Sequence, residues 1–405
     1  MKEILVKEYN NLKNLRLETK EQKYVIKHNF IKGAFVEILG EKKGEFEVKF
    51  FDKRNNKVIH TGRIGNNMWT RTNLKYFIDY HITVTDLSNN EIIFEHHYNA
   101  KNKRVYIHLD SKALGDTLAW FPHVEEFRKK HECDVVVSTF HNEWFEDTYP
   151  ELTFAQPGQE IYNLYAMYGL GWYYDDNEGK EFPGKINNQY VPSNFRTYSL
   201  GKTATEILGL KYKEIKPKLT FKNTGNQFEK YVCIAPHASA HAKYWMYPGG
   251  WQTIIDYLND KGYKVLMITH ETLGDDWHDS KLGGTLKRVI DKTGEYPLED
   301  RANDIMNAEL YIGLGSGLSW VSWAVGTKTI LISGFSKPYS EFNDCERIFT
   351  PDPNKCNGCF NRHRLQADDW EWCPDHKDTD RMFECTKSIT PSIIISAINK
   401  QLGIS

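Results

Sequence analysis

The 405-residue chain is long enough for two domains and an accessory piece, and its 40% hydrophobic and 14% aromatic content can fill real cores. A net charge of −2 argues against a broad electrostatic grip on nucleic acid or on an anionic membrane. The charged opening MKEILVKEYNNLKN lacks the apolar stretch of a signal peptide and no apolar run approaches a membrane span, so a cytoplasmic protein is expected.

Residues 1–30 read as a helix or an arm. From about Ala34 to Tyr98, short alternating runs follow one another. EFEVKFF puts Phe46, Val48 and Phe50 on one face, and RNN turns the chain into KVIHTGRI. KYFIDYHITV sets Tyr76, Ile78, Tyr80, Ile82 and Val84 on one side, and SNN turns it into EIIFEHHY. A period of two between Asn-rich turns predicts a small antiparallel sandwich or barrel within residues 1–103.

At Arg104 the rhythm changes. RVYIHLD predicts a buried strand and SKALGD a turn containing Gly115. TLAWFPHVEEFRKK predicts a helix with Pro122 near its start or kinking it, and CDVVVST the next strand. This is a Rossmann-like unit, assigned to residues 104–200, with the polar stretch 181–198 as a crossover loop. YVCIAP opens a second unit, residues 201–345. There PGGWQTIIDYLNDKG reads as a helix, YKVLMIT as a strand and LEDRANDIMNAE as a helix. LYIGLGSG is a strand and glycine loop, LSWVSWAVG a helix and TKTILISG a strand. Two such halves leave a cleft at the carboxyl ends of their strands, where ligands bind. Residues 346–405 form a cysteine-bearing segment and a C-terminal helix.

The glycine loop Gly315, Ser316, Gly317 and Leu318 precedes a helix, so its N–H groups suit a phosphate. A tight strand–helix turn that binds nothing has the same pattern. In PHASAHAKYW, Lys243 can neutralise a phosphate and Ser239 can donate to one, although a single loop lysine is ordinarily just solvated. His237 and His241 lack a nearby carboxylate to complete a metal site and read as ordinary loop histidines. Asp116, in LGDTLAWFP, is a candidate general base, but an aspartate at a helix start commonly satisfies free N–H groups. Asp110 and Asp175 are weaker candidates. IYNLYAMYGLGWYYDD carries six tyrosines and tryptophans, read as core or subunit interface in preference to ligand contact.

The most specific local signal is C-x2-C-x13-C-x11-C: Cys356, Cys359, Cys373 and Cys385. Asn357 and Gly358 allow the tight turn that aims two thiolates at one ion, and the other two close a tetrahedron. The segment is polar and needs a cross-link, which one structural ion per chain would supply. From chemistry alone zinc leads and iron is second. Cys133, Cys233 and Cys345 read as small buried hydrophobes.

Taken together, LGDTLAWFP, AKYW, GLGSGLSWVSWAVGTKTILISGFS and CNGC…WCPDHKDTDRMFECT resemble the bacterial autotransporter heptosyltransferases, over about residues 30–400. These are cytoplasmic enzymes that move heptose from ADP-heptose onto serines of autotransporter adhesins. The resemblance implies an α/β fold of the two-Rossmann GT-B glycosyltransferase type, behind an N-terminal β-barrel and with a C-terminal four-cysteine metal finger. It implies Asp116 as catalytic residue, and Lys243 and the Gly315–Gly317 loop as donor-diphosphate contacts. It places iron above zinc in the finger, and implies a homo-oligomer, in that family a large ring. Two alternatives stay open. One is a related glycosyltransferase using another nucleotide sugar or acceptor, such as lipopolysaccharide core or modified nucleic acid. The other is an inactive, metal-stapled binding protein on the same fold.

Overall fold

The computed structural model describes residues 24–175, 184–225, 228–366 and 368–404. Two antiparallel sheets come first. Strands β1 (Val25–Asn29), β2 (Phe35–Leu39) and β5 (Met68–Arg71) form one, in the order β1-β2-β5. Strands β3 (Glu45–Asp52), β4 (Lys57–Gly65), β6 (Tyr80–Asp86) and β7 (Glu91–His97) form the other, ordered β4-β3-β6-β7. The alternation in β3 does what a period of two must: Phe46, Val48 and Phe50 are fully buried while their neighbours face outward. Two expectations are corrected here. Residues 25–29 are a strand, not a helix or arm; the rest of that stretch, up to residue 23, lies outside the described residues. KYFIDYHITV becomes strand only at Tyr80, because Lys75 and Phe77 donate their N–H groups to the carbonyls of Gln189 and Ile207 instead of to a sheet neighbour.

A four-stranded parallel sheet follows, ordered β10-β9-β8-β11. It contains β8 (Arg104–Leu109), β9 (Asp134–Ser138), β10 (Thr153–Phe154) and β11 (Ala166–Leu170). Helices α1 (Leu114–Trp120) and α2 (Pro122–His131) connect β8 to β9. Pro122 divides one expected helix into two, since it has no N–H to give and takes the first position of α2. Helix α3 (Leu200–Leu208) packs against α1, α2 and β11, and Trp120 Nε1 donates 3.0 Å to the Leu200 carbonyl. The antiparallel part joins this unit at its edge: Phe30 bridges Ala166 in parallel.

The last sheet is parallel and six-stranded, ordered β14-β13-β12-β15-β16-β17. Its strands are β12 (Tyr231–Ala235), β13 (Lys264–Met267), β14 (Ile290–Asp291), β15 (Leu310–Leu314), β16 (Thr329–Ile332) and β17 (Glu346–Ile348). Helices α4 (Gly250–Asp260), α5 (Asp276–Leu282), α6 (Leu298–Met306) and α7 (Gly317–Val325) connect them. In α4 the buried Trp251, Ile254, Ile255 and Leu258 fall at helical spacing and make one apolar stripe. Helix α8 (Glu384–Lys387) closes the cysteine segment, and α9 (Pro391–Leu402) returns to pack on α4 and β17. None of the described helices is long and apolar enough to cross a membrane.

In both parallel sheets the strand order reverses beside a central strand, β8 in the first and β12 in the second. A crevice opens outside the carboxyl ends of the strands at such a point. The loops after β8, β12 and β15 lead to Asp116, Lys243 and Gly315 respectively.

Candidate functional site

The two α/β units meet where α1 crosses α7. Each helix brings a glycine to the crossing. A side chain on Gly115 would lie 2.7 Å from Trp320, and one on Gly317 would lie 2.8 Å from Leu114. Helix α1 already begins at Leu114, so Gly115 serves close approach and not the expected turn. Gly317 likewise meets the opposite unit, while Gly315 lies against the Glu341 carboxylate. Ser316 is the N-cap residue of α7, with no side-chain capping bond, and Leu318 follows in the first turn.

Asp116 is buried, 8% exposed, at the third position of α1. Its Oδ2 accepts from Ser111 Oγ at 2.5 Å and from Trp172 Nε1 at 2.8 Å. These are neutral donors from outside its helix, so the side chain is aimed into the crevice and not spent on capping. Burial pushes its carboxyl pKa up, while Ser111, Trp172 and the charge of Lys243 pull it back. Lys243 responds in the opposite sense: burial pushes its ammonium down, and Asp116 and Glu341 raise it. The acid of the first unit and the cation of the second are therefore close enough to feel each other's charge.

Lys243 Nζ lies 3.4 Å from Ser239 Oγ and 5.3 Å from the centre of the Phe335 ring. Glu341 is engaged by Ser336 and Arg347. Asp110 is differently placed. Burial would raise it, but hydrogen bonds from His108 and Tyr173, both 2.6 Å, hold it below the usual carboxylate range. Asp175 pairs its N–H with the Lys185 carbonyl at the edge of the described chain. His237 and His241 are buried, and burial pushes both down to about 4. Their rings diverge: His237 bonds Thr269, and His241 stacks on Trp370.

The aromatic segment read as core or interface is partly that, since Tyr168 is buried. Trp172, however, holds Asp116, a role that no spacing in the sequence announces. Nor does any spacing announce Ser111, Phe335 or Glu341, whose partners are equally set by the fold.

The four cysteines lie in one folded segment, where the donor atoms of Cys356, His376 and Glu384 all fall within 4.8 Å of one another. Cys356 and Cys385 share a hydrogen bond, and the Cys385 thiol feels Cys356, Cys359 and Cys373. Gly358 adopts a φ of 71° at the knuckle, the left-handed turn that favours glycine. Glu384 fixes the loop by accepting from the Cys356 N–H at 3.0 Å and from Arg381. Burial drives the Cys359 thiol up to about 12. Neighbouring thiols are stabilised as thiolates beside a cation, so the donor chemistry of the segment is compatible with a metal ion.

The model of glycosyltransferase family 9 (heptosyltransferase) matches residues 196–347. The autotransporter heptosyltransferase BAHTCr of Citrobacter rodentium is 34% identical across 93% of this chain and 88% of its own length. The iron-containing, dodecameric glycosyltransferase TibC of enterotoxigenic E. coli superposes with a TM-score of 0.82. That match is 30% identical and covers 95% of this chain and 97% of TibC. A second TibC structure, in complex with ADP-D-beta-D-heptose, agrees equally well at 29% identity over the same shares. A relative from Burkholderia thailandensis, 28% identical over 89% of this chain and 83% of its own, is named inactive autotransporter heptosyltransferase BimC. Two parallel α/β units facing across a crevice form a GT-B-like glycosyltransferase fold, and the chain belongs to the autotransporter heptosyltransferases.

Proposed function

We propose that the protein transfers heptose from ADP-heptose to a serine hydroxyl of an autotransporter-type protein, with inversion at the anomeric carbon. Family membership alone does not carry activity, because one relative is named inactive. The observation that carries the reading is the opposition of Asp116 and Lys243 across the groove, each answering the other's charge.

In the reaction the serine oxygen attacks the anomeric carbon, and the bond to the diphosphate oxygen breaks with its electrons leaving on ADP. Asp116 takes the serine proton as the new bond forms. A carboxylate of ordinary pKa, about 4, cannot deprotonate a serine in advance, so the transfer is late. Burial raises Asp116, which makes it a better base. Lys243, Ser239 and the Gly315, Ser316, Gly317 and Leu318 loop receive the charge that builds on the diphosphate. One base and one direct displacement give inversion.

The relation to TibC supports iron as the ion of Cys356, Cys359, Cys373 and Cys385, with zinc second, one per chain. With four protein ligands and no open position, its role is structural. It also supports a homo-oligomer. The antiparallel sheets are assigned as an N-terminal sandwich-like accessory domain to residue 103. The first α/β unit is assigned to residues 104–200 and the second to 201–345, although helix α3 (Leu200–Leu208) packs on the first. The finger and the C-terminal helix take up 346–405. Cys133, Cys233 and Cys345, outside the proposed ligand set, are free thiols, which fits the reducing cytoplasm.

The test is incubation of purified protein with ADP-heptose and an autotransporter passenger segment, followed by peptide mass spectrometry. Heptose on serine is the expected product. Absence of transfer together with no ADP release would support a binding protein instead.

A further inference from the structure

The cysteine finger touches both sides of the groove through one side chain. Phe360 directly follows Cys359 in the short turn Cys359–Asn361. Its ring stands edge-on to Trp172, 5.7 Å between centres at 89°. Its other neighbour is Phe335, 5.3 Å away at 30°. Trp172 holds Asp116, and Phe335 is the ring under Lys243. The finger backbone is fixed to the same place. The N–H groups of Gly358 and Phe360 donate to the carbonyls of Gly334 and Phe335, at 2.8 and 3.0 Å. Asn361 then spans the units: its Oδ1 accepts from the Lys337 N–H at 2.7 Å, and its Nδ2 donates to the Arg196 carbonyl at 2.7 Å.

We infer that Phe360 is a positioning residue that sets the Trp172–Asp116 pair of one unit against the Phe335–Lys243 pair of the other, so that the finger fixes the geometry of transfer as well as local shape. The inference rests on the roles given above to Asp116 and Lys243. A ring lodged between two aromatic supports transmits a displacement to both, because packed side chains have little room to yield. Misplacing reacting groups by about 1 Å costs up to ~10² in rate.

The experiment uses full-length protein as purified and compares Phe360→Ala, Phe360→Leu, Phe360→Tyr and Asp116→Asn. Bound metal, melting temperature, ADP affinity, kcat, KM and the pH profile of kcat/KM are measured for each. Phe360→Ala should lose about 10- to 100-fold in kcat with metal content unchanged. Its acid limb should move to higher pH, because a loosened Trp172 no longer favours the Asp116 carboxylate. Phe360→Tyr should restore most of the rate. If Phe360→Ala sheds its metal, Phe360→Leu keeps bulk beside Cys359 and is read in the same way. Wild-type turnover in Asp116→Asn overturns the active-site assignment, and this inference with it. An inactive Asp116→Asn beside Phe360 variants of unchanged kcat and unchanged acid limb overturns the inference alone.

Discussion

The two walls of the groove hold opposite charges by different means. On the first, Asp116 is enclosed and held by two neutral donors, a hydroxyl and an indole. On the second, Lys243 lies over an aromatic ring, with a serine and a carboxylate nearby. Neither wall neutralises its own charge fully, and each leaves the balance to the other. The arrangement suits the proposed reaction, in which negative charge moves from an attacking alcohol to a departing diphosphate.

The largest expected effects separate the walls. Asp116→Asn should lower kcat about 10²- to 10⁴-fold, the usual worth of a general base, and leave ADP affinity intact or improved, since a negative charge is lost near the diphosphate. Lys243→Met should lower kcat/KM about 10²- to 10³-fold and weaken ADP binding. Steady-state kinetics with ADP calorimetry read both. If the two variants behave alike in ADP affinity, the division of labour between the walls is wrong.

The next effect concerns the joint between the walls. Gly317→Ala places a methyl group 2.8 Å from Leu114, at the closest approach of α7 to α1. Overpacking of this kind costs about 1–3 kcal/mol, so the melting temperature should fall, and turnover with it as the walls separate. Adding Leu114→Ala vacates the space and should recover part of both. A Gly317→Ala protein with unchanged stability would return that glycine to a purely phosphate-binding role.

The sequence was most legible where one wall's geometry follows from the local pattern. The Val105–Ile107 and Tyr231–Ala235 stretches are apolar on both faces because parallel strands are covered on both sides. The cysteine spacing pointed to a metal finger without help from the fold. Legibility failed where long-range partners decide. Residues 75–79 alternate as a strand does, yet Lys75 and Phe77 bond to Gln189 in a distant loop and to Ile207 at the end of α3. Gly115 looked like a turn residue, but its neighbour is Trp320 of the other unit. Trp172 lies 56 positions from Asp116, and nothing local marks one indole among six aromatic residues as its partner.

The smallest expected effect tests the first wall alone. Ser111 stabilises the ionised form of Asp116 by donating to Oδ2. In Ser111→Ala that support is lost, so the Asp116 pKa, already raised by burial, rises further. The base acts only when ionised, and activity falls as pH drops through its pKa. Raising the pKa therefore moves the acid limb of kcat/KM to higher pH. Above the limb the rate should stay within about tenfold of wild type, because a more basic carboxylate is a better proton acceptor once ionised. The same substitution touches nothing on the Lys243 side, so ADP affinity should not move. A shift of the limb to lower pH would mean that Ser111 accepts from a protonated Asp116, and that the carboxyl enters the cycle as an acid.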